Sequence, residues 1–362
     1  MRKSRKVFVL VAGGAAVLVV LVALLWKPVL RFLVPMIVSS RMAGQNVVRE
    51  DGLYVGLAGT GSPMPDANRT GPCIVVQAGT RLFIVDAGSG SARNVRLMSF
   101  PLGGTDALLL THFHSDHITD LGEMALQRWA GGSTTEPLEV IGPAGVEEVV
   151  AGFNRAYALD TGYRVAHHGP ATVPPSGAGS VARTFELAAD ADASAVVWDK
   201  DGVVITAFKV NHEPVSPAVG YRFDYKGRSI AISGDTVYTE SLVKHSNDVD
   251  ILFHEALNAS MVDMINANSG LSASASTNAI THDIPSYHST PEDAARAAME
   301  AGAESLVLYH IIPPLPSSVL KNLFIGDAKR IYNGTITMGD DGMQFFLPPG
   351  SSRIEMKRLL KR

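Results

Sequence analysis

The segment Ala107–His117, ALLLTHFHSDH, limits what this chain can become more than any other. An uncharged run of β-type ends in three histidines and an aspartate within six positions. Alternate side chains of a strand share a face. His112 and His114 therefore converge on one point, while Asp116 and His117 follow the turning chain toward a second. Imidazole and carboxylate are ligands that a borderline cation such as zinc accepts. With two further histidines and an aspartate from downstream, such a segment holds two metals about 3.5–4 Å apart. The fold must then be one that ends a buried strand at a cavity and brings distant strand ends to the same edge.

Composition sets the remaining bounds. The chain has 362 residues, 46% of them apolar and 18% charged, enough for a sizeable core. The net charge of −4 gives no global positive field to recruit a polyanion. Cys73 is the only cysteine, which excludes an internal disulfide framework and a thiolate metal site. Metal chemistry must rest on histidine and carboxylate.

The N-terminus has a different character. Arg2, Lys3, Arg5 and Lys6 precede an uncharged run from Val7 to Trp26, closed by Lys27 and Pro28. As a helix this run spans about 30 Å, the thickness of bilayer hydrocarbon. It is longer than the apolar core of a cleaved signal peptide. We expect an uncleaved single-pass anchor in the inner membrane with a cytoplasmic N-terminus, placing the rest of the chain on the periplasmic side. The expected organisation is an anchor over residues 1–27, an amphiphilic linker over 28–50, one large domain over 51–348 and a basic tail over 349–362, the tail forming a helix.

From Leu53 onward short apolar runs alternate with Gly, Pro, Asn and Asp. Strands are expected at Leu53–Ala58, Cys73–Gln77, Leu82–Asp86, Ala107–Leu110 and Leu138–Ile141. A second batch is expected at Val203–Val210, Val219–Tyr225, Ser229–Ser233, Ile251–Glu255 and Leu306–Tyr309, with Ile331–Asn333, Ile336–Met338 and Gln344–Leu347 closing the domain. Helical spacing covers Asp120–Trp129 and Val146–Leu159. Another helix is announced by Thr290 as cap, Pro291 in its first turn, and Glu292 and Asp293 at its positive end. Two batches of strands with helices predict an α/β fold, an αβ/βα four-layer sandwich. Val165–Ser194, rich in Ala, Gly and Pro, is expected to be an extended loop.

Three residues complete the ligand set. His212 follows the run Val203–Val210, Asp235 lies in SGDT after Ser229–Ser233, and His310 ends VLYH. Singly, each is an ordinary core or loop residue. The order HxHxDH, H, D, H, with GTGSPMP at Gly59–Pro65 and VDAG at Val85–Gly88, resembles the metallo-β-lactamase superfamily over roughly residues 53–347. That resemblance implies a first metal on His112, His114 and His212, a second on Asp116, His117 and His310, and Asp235 bridging both. The metals would be two zinc ions, with manganese or iron as substitutes, and Asp86 would orient a ligand histidine. HEA at His254–Ala256 and YHST at Tyr287–Thr290 are similar to the ribonuclease Z branch, which includes phosphodiesterases and aryl sulfatases. It implies that His288 acts near the leaving group, supported by Glu255; His254 itself we read as a structural residue. Asp116 would accept or orient the proton of the attacking water. HEAL at His254–Leu257 departs from the HEAT of the nucleases.

The function expected from these readings is hydrolysis of phosphodiester or aryl sulfate esters by an exported, anchored enzyme, as a monomer or homodimer. The alternative is a transfer-RNA 3′-processing endonuclease. An iron-based oxidative enzyme and a binding protein with a relic site are weaker readings. RNA is disfavoured because Val165–Ser194, where a basic RNA-gripping arm would fall, has Arg183 as its only Lys or Arg. The string YRVAHHG at Tyr163–Gly169 suggests His167 and His168 either as lining of the substrate pocket or as loop packing.

Overall fold

The computed structural model describes residues 22–23, 25–39, 49–269 and 275–360, without the side chains of 268–269 and 275–278. The chain divides into two compact units, Met1–Val48 and Arg49–Arg362. In the first, residues 25–39 are helical and exposed. Most of the expected anchor lies outside the described residues. Among those described, no helix is long and apolar enough to cross a membrane.

The second unit is built on two mixed sheets. One has eight strands in the order β15-β14-β1-β2-β3-β4-β5-β6. These are β1 Leu53–Gly59, β2 Cys73–Ala78, β3 Arg81–Val85, β4 Ala107–Leu109, β5 Leu138–Gly142, β6 Ser180–Thr184, β14 Met343–Leu347 and β15 Glu355–Arg358. The other has seven, in the order β13-β12-β11-β10-β9-β8-β7. They are β7 Ser194–Lys200, β8 Val203–Lys209, β9 Val219–Tyr225, β10 Arg228–Ile232, β11 Ile251–Leu257, β12 Ser305–Ile312 and β13 Thr335–Met338. The inner faces meet in one apolar core that joins Val55, Val76, Phe83 and Leu109 of the first sheet to Phe223, Ile232, Phe253 and Val307 of the second.

Each outer face carries helices. On the first sheet, Val75, Ile84 and Val140 pack with Val95 of α1 (Ser91–Leu97). Leu121 and Met124 of α3 (Leu121–Gly132) join them, while α2 (Ser115–Ile118) is a single turn carrying Asp116 and His117. On the second, Leu252, Leu306 and Leu308 pack with Ala294 and Ala298 of α8 (Pro291–Glu300) and Leu242 of α5 (Glu240–His245). Helices outside two stacked sheets are the four layers that the alternation of runs predicts. The cap of α8 also forms as expected, with a reciprocal bond pair between Thr290 and Asp293 and Pro291 in the first turn.

Four expectations differ. The helix beginning at Val146 does not stop at Leu159 but continues as α4 (Val146–His168). Its surface is mostly exposed, so no apolar stripe marks its length. The expected loop Val165–Ser194 instead contains the end of α4, the edge strand β6 and the first residue of β7. Ile331 closes a short helix, Ala328–Ile331, rather than opening a strand. The basic tail forms no helix: β15 pairs antiparallel with β14, Met343 opposite Arg358 and Phe345 opposite Met356. β6 and β15 are mostly exposed or only partly buried, so neither carries the apolar run or the alternation that marks a buried strand.

Candidate metal centre

Each candidate ligand leaves the carboxyl end of a strand or the turn just after it. β4 ends at Leu109, and the chain runs through Thr111 into α2. The turn packs so closely that a Cβ on Gly88 would lie 2.4 Å from the Asp116 carbonyl oxygen, which explains the glycine of VDAG. On β12, Glu255 pairs with Tyr309 and Ala256 with Ile311, so His310 is an extra, unpaired residue. Its φ of 47° places it in the left-handed region. This bulge re-aims His310 out of the strand's alternation and into the site.

The seven side chains meet in overlapping groups. Ligand-type atoms of His112, His114, His212 and Asp235 lie within 4.8 Å of one another, as do those of Asp116, His117 and His310. Asp235 links them, its Oδ2 lying 3.3 Å from Nε2 of both His117 and His310 and 3.8 Å from Nε2 of His112. Nε2 of His310 is also 3.3 Å from Asp116 Oδ2.

The donor set fits metal ions on chemical grounds. His117 Nδ1 lies 2.8 Å from Asp86 Oδ2. His212 Nδ1 lies 2.9 Å from the Tyr287 carbonyl. The Thr111 hydroxyl donates to Asp86 at 2.9 Å and so accepts from His112 Nδ1 at 3.0 Å. Each bond holds the proton of a neutral imidazole on Nδ1 and turns a bare Nε2 inward. Nε2 of His112 and Nδ1 of His114 are 3.1 Å apart, and Nε2 of His212 is 3.3 Å from the same Nδ1. Ligands about 2.0–2.1 Å from a tetrahedral zinc are about 3.3 Å from each other. His117 Nε2, Asp235 Oδ1 and His310 Nδ1 are buried with no hydrogen-bond partner among the described residues.

Electrostatics agree. Burial, reinforced by His117, holds the pKa of His112 well below the usual imidazole value. Burial opposes charge on His117 as well, yet Asp235, Asp116 and Asp86 carry its pKa well above that value. Asp235 is also buried, but His310 and His117 keep it ionised far below the usual carboxylate range. The field that draws a proton to His117 draws a cation to the same place.

His288 lies at the edge of the cluster, its ring 5.1 Å from that of His212 and 5.5 Å from that of His310. Its Nδ1 is 3.0 Å from Glu255 Oε1, which also accepts from the backbone N–H of Ser289 at 2.9 Å and of Thr236 at 3.3 Å. Burial lowers the His288 pKa, and the Glu255 carboxylate overrides it and raises the value. His254 is buried with Nδ1 2.7 Å from the Glu255 carbonyl, a packing position. His167 and His168 are exposed at the end of α4, their rings tilted at 52° to each other, and do not line the cavity over the metal ligands.

Several supporting residues escape a reading of motifs. Thr111 adjoins the histidine string and is the one with a visible signal. Asp341 accepts from Thr60 at 2.7 Å and from the Thr70 N–H at 2.8 Å, while Arg69 donates to Thr60 at 2.6 Å. This buried network holds the base of the loop that carries Pro63–Met64–Pro65, and its partners are 271 or more residues distant in part.

A buried cluster of histidine and carboxylate at the ends of strands from two stacked sheets defines a metal-dependent hydrolase of the metallo-β-lactamase fold. Residues 81–311 match the family described as the beta-lactamase superfamily domain. Ribonuclease Z of Mycobacterium avium (strain 104) is 36% identical over 291 residues, 80% of this chain and 96% of that protein. Ribonuclease Z of Mycolicibacterium gilvum (strain PYR-GCK) is 35% identical, over 82% of this chain and 97% of its own length. In fold the chain is similar to the short form of human tRNase Z, with a TM-score of 0.58 and 22% identity over 82% of this chain and 99% of that one. It is likewise similar to the metallo-beta-lactamase fold protein YhfI from Bacillus subtilis, with a TM-score of 0.57 and 20% identity over 82% of this chain and all of that one. The chain belongs to the metallo-β-lactamase superfamily, in its ribonuclease Z branch. It is a metal-dependent hydrolase of the phosphodiesterase type.

Proposed function

We propose that the chain is a binuclear zinc phosphodiesterase. His112, His114 and His212 would hold one ion, Asp116, His117 and His310 the other, with Asp235 shared; manganese and iron suit the same donors. When bound, the two ions supply a water acidified toward neutral pH and positive charge facing the phosphoryl oxygens. Asp116 lines the cavity. Although burial opposes its charge, His117 and His310 keep it ionised, so it can accept a proton from the attacking water. Glu255 fixes His288 through Nδ1, which leaves the other ring nitrogen to protonate the departing oxygen. The carrying observation is the convergence of seven ligand-type side chains beside this Glu255–His288 pair.

The name of the relatives, ribonuclease Z, supports an RNA phosphodiester as substrate, and with it the transfer-RNA 3′-processing reading. The charge of residues 146–194, with Arg155, Arg164 and Arg183 against six acidic residues, supports a smaller ester instead. The uncharged run Val7–Trp26 supports anchorage in the inner membrane with the catalytic unit outside the cytoplasm. Metal analysis of the purified full chain, with assays on bis(4-nitrophenyl) phosphate, 4-nitrophenyl sulfate, a penicillin and precursor transfer RNA, tests this. Two zinc ions per chain and phosphodiester hydrolysis are expected. Hydrolysis of the sulfate or the penicillin with both phosphodiesters untouched refutes it.

A further inference from the structure

Above the metal ligands lies a cavity of about 490 Å³, within the range of small-ligand sites. Its floor is His114, Asp116, Asp235, His288 and His310. Its wall is apolar, formed by Met64 between Pro63 and Pro65 together with Ile280, Ile284, Tyr287 and Ile312. Ile284 and Ile312 belong to a small apolar cluster with Leu257 and Val262, against which Met64 and Tyr287 pack. That cluster joins the GTGSPMP loop, the end of β11, α6 (Ala259–Ser269), the segment after α7 (Ala275–Asp283) and the end of β12. Ile280, on α7, is 59% exposed although it lines the cavity. The Tyr287 ring lies 5.4 Å from that of His212 and 5.0 Å from that of His288, so the apolar wall begins where the reactive groups end.

Charge makes the wall selective. Among the described residues no Lys or Arg lines the cavity, and the charged side chains there other than histidine are Asp116 and Asp235, both already assigned to metals. A polynucleotide brings a second phosphate on either side of the scissile one, and none of the described residues lining the cavity carries a positive counter-charge for it other than histidine. An uncharged hydrocarbon or aryl group on the ester oxygen gains instead by leaving water.

We infer that this cavity selects a phosphodiester with an uncharged apolar ester group, which lies against the wall formed by Met64, Ile280, Ile284 and Tyr287. The inference rests on the phosphodiesterase reading. The balanced reaction is attack of water oxygen on phosphorus, cleavage of one P–O ester bond, and release of an alcohol and a phosphate monoester, with one proton passing to the departing oxygen.

The test is a series of alkylphosphonates from methyl to hexyl, used as inhibitors of bis(4-nitrophenyl) phosphate hydrolysis by the zinc-loaded full chain in detergent. Full burial of each methylene corresponds to about a fourfold fall in Ki, and a fall of at least about 50-fold across the series is expected for partial burial. Met64→Gln and Ile284→Asn should flatten the series while metal content stays at two. Met64 is half-buried, so its variant keeps the test open should Ile284→Asn fail to fold. Separate arms with aryl and alkyl phosphodiesters of equal leaving group distinguish a ring from a chain as the preferred group. A Ki independent of chain length, with hydrolysis intact, overturns the inference alone. Failure to hydrolyse any phosphodiester overturns the underlying reading. Processing of precursor transfer RNA far more efficient than that of every apolar ester also overturns the inference.

Discussion

Asp86→Asn separates the role of a supporting carboxylate from that of the ligands it orients. Asp86 is 2% exposed, and its backbone φ of 60° is a conformation that asparagine tolerates. Its Oδ1 accepts from the Thr111 N–H at 2.9 Å, and its Oδ2 accepts from the Thr111 hydroxyl and from His117 Nδ1. An amide in its place must set its NH2 against a donor in either orientation. Facing the Thr111 N–H, the conflict has no remedy, because a backbone amide cannot change its proton. Facing His117, the imidazole escapes by moving its proton to Nε2. The second orientation therefore wins and removes the lone pair that points at the centre. The loss of one charge-assisted bond costs about 1.5–3 kcal/mol of stability, and a misdirected ligand histidine costs about 10–100-fold in metal affinity. Zinc competition against a chromophoric chelator, with urea unfolding of the apo and zinc-loaded forms, measures both. We expect a folded variant that binds one of its two zinc ions at least about tenfold more weakly. Unchanged affinity at both sites would refute the tautomer argument and, with it, the role of Asp86.

The other predictions concern separate links of the chain. His114→Ala should lose metal and hydrolysis together, as measured by metal stoichiometry and phosphodiester turnover; an active, metal-free variant contradicts the site. His288→Ala should retain metal and lose more rate on alkyl esters than on nitrophenyl esters, because only a poor leaving group needs the proton; equal losses would remove the acid role. Thr290→Ala breaks the reciprocal cap of α8 and should cost about 1 kcal/mol in urea unfolding with metal content unchanged. Stripping the metals should lower Tm, since an ion at 100 times its Kd stabilises the folded state by about 2.7 kcal/mol.

Local sequence was sufficient wherever neighbours in the chain decide the outcome. Burial on both faces makes the central strands read as continuous apolar runs, and the cap of α8 is spelled by four adjacent residues. His112, His114, Asp116 and His117 sit within six positions just past the end of β4, so their nearness to one another follows from the local chain, although His112 and His114 lie in the loop past the strand rather than on its alternating face. The edge strands β6 and β15, half-exposed and partnered on one side, show no such pattern, and exposure hides the true length of α4.

What only the tertiary structure decided depends on contacts between distant segments. The bulge that aims His310 exists because β12 must pair with β11 out of step, a relation between strands more than 45 residues apart. The proton positions on His112, His117 and His212 are set by Thr111, Asp86 and the Tyr287 carbonyl, and the last is 75 residues from its imidazole. The apolar wall draws on four segments that share no motif. Ligand identity is a property of residue type and spacing, so the sequence determined which chemistry this protein can hold. Ligand tautomer, orientation and the cavity's polarity are properties of packing, which only the fold decides.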